Sequence, residues 1–237
     1  MNAAPTFSTL ASQRLLVVGG SSGIGLATAQ LAATHGALVT VTGRSEQRAA
    51  EAAASIGKGA ASAAFDMTDE KAVGAFFAGN EFFDHIVVAA AEIRSGPVRD
   101  LALDTARTTF ASKFWGPYLV AHFARLAEGG SLTFVSGAAA WRPRAGRAPV
   151  AAACAAIEAL TKVLAAELAP VRVNCIAPGM VDTPMLRAIR PAGAPVPAQP
   201  IRRPGEPEEI AFQILACAAN LYMTGSIIDV DGGLDVS

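Results

Sequence analysis

A chain of 237 residues with 52% hydrophobic and 16% charged residues carries enough apolar material to bury the core of one large α/β domain, which excludes a disordered chain. The formal net charge of −1 offers no electrostatic attraction to nucleic acid or to an anionic membrane surface, so neither is expected as a partner. Three widely spaced cysteines, Cys154, Cys175 and Cys217, make neither a disulfide framework nor a metal cluster; no metal is expected, and a reducing cytoplasm is the simple setting.

In chain order, the first residues, Met1 to Arg14, lack the basic start and apolar run of a signal peptide. Residues 15–43 carry no Asp, Glu, Lys or Arg, but glycines and polar residues interrupt them, and they are expected to form a βαβ unit rather than a membrane span. Strands are expected near 15–18, 38–42, 61–65, 85–89, 131–135, 172–176 and 226–230. Helices are expected near 23–34, 46–55, 69–78, 103–127, 150–168 and 207–219. Pro207 followed by Glu208 and Glu209 suits the first turn of the last helix. This alternation predicts a single-domain, Rossmann-like, doubly wound parallel sheet with helices on both faces, spanning 1–237. One compositional break stands out at 184–207, where Pro184, Pro191, Pro195, Pro197, Pro200, Pro204 and Pro207 crowd together. It reads either as a substrate lid or as a surface insertion.

The segment Leu15 to Gly25 is an apolar strand, a glycine-rich turn and a helix start. Gly19, Ser21, Ser22, Gly23, Ile24 and Gly25 are the candidate phosphate-binding residues. Glycines let the backbone approach a pyrophosphate, and the helix N-terminus offers amide groups and a positive dipole end. The spacing G-x-x-x-G-x-G, after a strand and opening a helix, is a specific signal. The second strand runs into Gly43-Arg44-Ser45 with no carboxylate to repel a 2′-phosphate, and Arg44 can pair with one. NADP(H) is therefore expected over NAD(H), with Arg44 and Ser45 in that contact.

Together with this turn, Val150 to Gly179 (VAAACAAIEALTKVLAAELAPVRVNCIAPG), Asp66-Met67-Thr68-Asp69, Pro178 to Pro184 and Val230-Asp231-Gly232-Gly233 resemble the short-chain dehydrogenase/reductase family from about Arg14 onward. The resemblance implies a nicotinamide-dependent oxidoreductase acting on a small carbonyl or hydroxyl compound. It also implies a homo-oligomer, dimer or tetramer, built on the 103–127 and 150–168 helices and the C-terminal segment. It assigns Asp66 and Met67 to the adenine, Ala89 and Ala90 to the nucleotide wall after the fourth strand, and Pro178, Gly179 and Val181 to the nicotinamide. Thr183 falls near the phosphates.

The catalytic positions depart from the family. Its Tyr and Lys, four residues apart on one helix face, are Val150 and Cys154 here. Its Asn-Asn-Ala-Gly is replaced by an alanine run ending before Glu92. Lys113 aligns with its catalytic-site Asn, and Ser136 is matched with its catalytic Ser. Lys113 either projects into the space vacated at Cys154 or runs to solvent; Ser136 and Lys113 are the candidate catalytic residues. Trp141 to Arg147 carries three arginines near the substrate region. With Arg187 and Arg190 they read either as a site for an anionic substrate or as solvated loop charges. His35, His85 and His122 read as structural. Three functions remain open: an NADP(H)-linked oxidoreductase with an unconventional proton source, a nucleotide-binding protein without turnover, and a non-redox isomerase or lyase.

Overall fold

Strand β1 (Arg14–Val18) is buried on both sides: Leu15 and Val17 join one apolar cluster, Leu16 and Val18 the other. Such a strand requires helices on both faces of its sheet. The computed structural model, which describes residues 6–57, 59–80, 82–190, 199–234 and 236, supplies them. The remaining strands are β2 (Leu38–Gly43), β3 (Ala61–Ala64), β4 (Phe83–Val88), β5 (Leu126–Val135), β6 (Arg172–Pro178) and β7 (Ile227–Val230). They form one seven-stranded sheet in the order β3-β2-β1-β4-β5-β6-β7, and every pair is parallel.

The helices are α1 (Gly23–Thr34), α2 (Glu46–Ile56), α3 (Glu70–Ala78), α4 (Leu103–Phe110), α5 (Gly116–Phe123), α6 (Ala148–Glu167), α7 (Pro184–Ile189) and α8 (Pro207–Ala219). Alanines of α1 and α2 and the apolar face of α8 cover one side of the sheet. Val73 and Phe77 of α3, Val120 of α5, and Ile157 and Leu164 of α6 cover the other. Helix α6 is long and apolar enough to cross a membrane by length and composition; here Ile157 and Leu164 bury its inner face against β4, β5 and β6. β1 has β2 on one side and β4 on the other, so the chain reverses its winding there. That reversal opens a crevice at the C-terminal ends of the strands.

Three local differences from expectation matter. The helix expected over 103–127 is interrupted. Ala111–Trp115 forms a wide π turn between α4 and α5, and Ala124 leaves the helical region at φ −55°, ψ 133°. The chain then enters β5 at Leu126, which pairs with Phe83 before a register shift reaches His85↔Ser131. The Pro-rich stretch opens with α7, where Pro184 takes the first turn and the Thr183 hydroxyl accepts from the Leu186 amide at 3.3 Å; this is ordinary N-capping. Residues 191–198 of that stretch lie outside the described residues.

Candidate functional site

The glycine turn is built by close approach. The Gly19 and Gly20 amides donate to the Thr42 carbonyl at 2.9 and 3.1 Å, tying the turn to β2. The Ala89 and Ala90 amides donate to the Val18 carbonyl at 2.9 and 3.1 Å, tying it to the alanine run after β4. A Cβ added to Gly19 (φ +87°) would meet the Ala90 amide nitrogen at 2.5 Å, and one added to Gly25 would meet the Gly19 carbonyl at 2.1 Å. The Ser22 side chain does not cap α1, so the first-turn amides face the crevice where an anion can take them.

The crevice is a cleft of about 860 Å³ lined by all sixteen candidate nucleotide-contacting residues and by both candidate catalytic residues, Lys113 and Ser136, but not by Arg187 or Arg190. Those of the turn, with Arg44, Ser45, Asp66, Met67, Ala89 and Ala90, form one end. Pro178, Gly179, Val181 and Thr183 line it from the end of β6, and Lys113 and Ser136, both buried, line it as well. Asp66 is fixed by the Thr68 amide and hydroxyl, both donating to Oδ1 at 2.8 Å. Met67 is buried against Gly116, where a Cβ would meet Met67 Cγ at 2.7 Å. Ser45 caps α2 by accepting from the Arg48 amide at 3.3 Å, which brings Arg48 to the same end of the cleft as Arg44. Thr183 leans over the turn, 3.0 Å from a Cβ built on Gly23. The Val181 side chain enters the core beneath, so that residue offers the cleft its backbone. A close-packed glycine turn, an uncapped helix start and two arginines fit a pyrophosphate-bearing dinucleotide.

Lys113 is the buried cation of this lining. The π turn aims its side chain inward, and the residue is only 5% exposed. Its Nζ donates to the Val135 carbonyl at 2.8 Å; it does not run to solvent. Val150 and Cys154 are buried on the facing side of α6. Burial pushes the Cys154 thiol up, the Lys113 ammonium pulls it back, and Glu158 adds to the rise, so the sulfur stays protonated and is a poor nucleophile.

Ser136 requires a correction. Its hydroxyl donates to Glu158 Oε1 at 2.8 Å, one helical turn beyond Cys154, and is not aimed at the space beside Cys154. That space faces the next residue, Gly137, where an added Cβ would lie 3.6 Å from Cys154 Sγ. Successive residues at a strand end point to different sides, and the residue directed at the reacting position has no side chain. Glu158 itself escaped the sequence reading, although Val150, Cys154 and Glu158 follow the i, i+4, i+8 spacing of one helix face. Burial pushes its carboxyl up, the Ser136 hydrogen bond opposes this, Asp229 adds to it and Lys162 opposes it.

Charges at the rim also differ from expectation. Arg187 forms a two-pronged pair with Asp182, both contacts 2.8 Å, and is thereby occupied. Arg44 pairs with Glu92 at 2.7 Å. The Arg142 guanidinium donates to the Leu234 carbonyl. His85 is held by Ser131 at 2.8 Å and Gln13 at 2.7 Å, and burial lowers it to about 4, with Arg172 adding to the fall and Asp84 opposing it. It is a neutral core residue outside the cleft.

Sheet order, glycine turn and crevice together define a nucleotide-binding α/β protein. The sequence model of the enoyl-(acyl carrier protein) reductase family matches residues 18–235, and the chain belongs to the short-chain dehydrogenase/reductase family, whose members are oxidoreductases. It is 31% identical to the 3-oxoacyl-[acyl-carrier-protein] reductase FabG of Chlamydia muridarum, over 96% of this chain and 99% of that one. Among solved structures, the MalC reductase/Diels-Alderase of Malbranchea aurantiaca superposes with a TM-score of 0.89 at 27% identity, covering 98% of this chain and 99% of the other. BdcA in complex with NADPH superposes with a TM-score of 0.86 at 28% identity, over 94% and 95% of the two chains.

Proposed function

We propose that this chain binds NADP(H) and acts as an oxidoreductase on a carbonyl or hydroxyl carbon of a small anionic molecule. The observation that carries this reading is Lys113, the one buried cation among the described residues that line the cleft. A bound nicotinamide supplies or accepts the hydride. Lys113 Nζ spends one donor on Val135 and keeps the others for the nicotinamide ribose and the substrate oxygen. It places a positive charge where an alkoxide develops and hands it a proton. The Cys154 thiol and Val150 exclude water beside it. Ser136 serves by fixing Glu158 and touches no reacting atom.

Arg44 and Arg48 support NADP(H), as does the NADPH complex of the relative BdcA. Arg44→Ala is expected to weaken NADPH binding roughly 10- to 100-fold, as loss of a charge-assisted hydrogen bond does, with little change for NADH. Fluorescence titration of both nucleotides reads this directly, and tighter NADH than NADPH binding by the wild type would end the preference.

The anionic substrate is supported by the charge of the cleft wall. Arg142, Arg144 and Arg147 line its substrate side, whereas the lining carboxylates among the described residues, Asp66 and Glu92, sit at the nucleotide end. Acetoacetate is expected to bind about tenfold tighter than its neutral methyl ester. The paired Arg144→Ala, Arg147→Ala variant should erase that difference without altering NADPH affinity. Quenching of Trp141, which sits in the arginine loop, reports the binding.

Exposed Trp115 just before α5, Tyr118 on α5 and Val163 on α6 support a homo-oligomer built on these helices. Three unpaired, buried cysteines support a cytoplasmic setting. A second reading, nucleotide binding without turnover, is favoured by Val150, Cys154 and the engaged Ser136 hydroxyl. NADPH consumption across a panel of keto acids separates the two, and product analysis without nucleotide tests a non-redox reaction such as the Diels-Alderase activity in the name of the MalC reductase/Diels-Alderase.

A further inference from the structure

Arg44 lies at the end of β2, and Glu92 follows the alanine run after β4. These strands flank β1 on opposite sides, so their ion pair of 2.7 Å crosses the crevice above the glycine turn. Both residues line the cleft. The Arg44 side chain is 67% exposed and that of Glu92 29%, so the carboxylate is the more enclosed member. The second Glu92 oxygen lies 3.7 Å from Arg94.

The Glu92 backbone is held at both its polar groups by one side chain. Its amide donates to Ser112 Oγ at 3.0 Å, and Ser112 Oγ donates back to its carbonyl at 2.9 Å. Ser112 is itself buried in the π turn that aims Lys113. These two hydrogen bonds tether the Glu92 backbone to the π turn and hold its carboxylate within reach of Arg44.

We propose that Glu92 is a specificity-determining residue of the nucleotide site: its carboxylate and a nucleotide 2′-phosphate compete for the Arg44 guanidinium. A 2′-phosphate carries about −1.5 to −2 charge near neutral pH and takes Arg44 only by displacing Glu92 and then lying beside it. A 2′-hydroxyl has no such demand; it can share the carboxylate as an acceptor. Arg44 thus favours NADP(H), and Glu92 narrows the margin. The inference rests on the NADP(H) reading.

The test is titration of NADPH and NADH against wild type, Glu92→Gln, Arg44→Ala and the double variant, with thermal melting as the folding control. Glu92→Gln keeps the side-chain shape and removes the charge. NADPH should bind it roughly three- to fivefold tighter than wild type, the upper end of what exposed charge pairs are worth, and NADH should change less than twofold. The gain should shrink at high salt and fall below twofold when Arg44 is already Ala. Equal changes for both nucleotides, or none, overturn the proposal. If Arg44→Ala weakens NADPH while Glu92→Gln has no effect, only the Glu92 inference fails. If Arg44→Ala leaves NADPH untouched, the NADP(H) reading fails with it. Absence of binding by both wild type and Glu92→Gln overturns both.

Discussion

Lys113→Met is expected to lower hydride transfer by about 10²–10⁴, the usual worth of general acid–base catalysis, while the fold holds. Met matches the length of the Lys stem and carries no charge. The wild-type ammonium is buried with one hydrogen bond, to the Val135 carbonyl, so Met loses that bond but also the desolvation cost of a buried charge. The melting temperature should therefore stay level or rise. NADPH affinity should drop several-fold, since the ribose loses a donor. Single-turnover oxidation of NADPH, read beside the melting curve, separates this from a structural role. Unchanged transfer would remove Lys113 from the chemistry and favour nucleotide binding without turnover.

Gly25→Ala is expected to be the most damaging small substitution in the nucleotide site. The added Cβ would stand 2.1 Å from the Gly19 carbonyl oxygen and 2.8 Å from its carbon. These are backbone atoms, held in place because the Gly19 amide is bonded to Thr42. Relief requires either the α1 start or the turn to move, at a cost of about 2–4 kcal/mol. For a domain of this size that lowers the melting temperature by roughly 5–15 °C. The displaced amides should also lose NADPH. Gly79→Ala is the control: its φ is −83° and the nearest contact is 3.4 Å, so it should melt close to wild type. Equal melting of both variants would show that the turn tolerates a side chain.

Local pattern carried much of this molecule. Short apolar runs alternating with longer helical stretches predict a parallel sheet, because each strand must be buried on both sides and each crossover needs a helix. The glycine spacing identified the turn because only glycine tolerates a backbone oxygen at the place of its Cβ, as at Gly25. The sequence resemblance sets Val150 and Cys154 at the places of the family's Tyr and Lys, and their spacing of four predicts the shared, buried face of α6 on which they lie. Glu158 belongs to that same series and was open to the same reasoning. The break in the 103–127 helix was not, because an alanine- and aromatic-rich segment suits a continuous helix and only the packing of Gly116 on Met67 and the pairing of Leu126 with Phe83 decide where it turns.

The sequence by itself determined the parallel sheet, the glycine-rich turn between β1 and α1, and the membership of the family, since each is written in residues close together along the chain. Only the tertiary structure decided that Lys113 points inward, that the Ser136 hydroxyl serves Glu158, that Arg187 is taken by Asp182, and that Glu92 holds Arg44 from 48 residues away. Side-chain direction and the choice of ionic partner depend on which strand ends the sheet order brings together and on what space the neighbouring helices leave, and no local spacing encodes either.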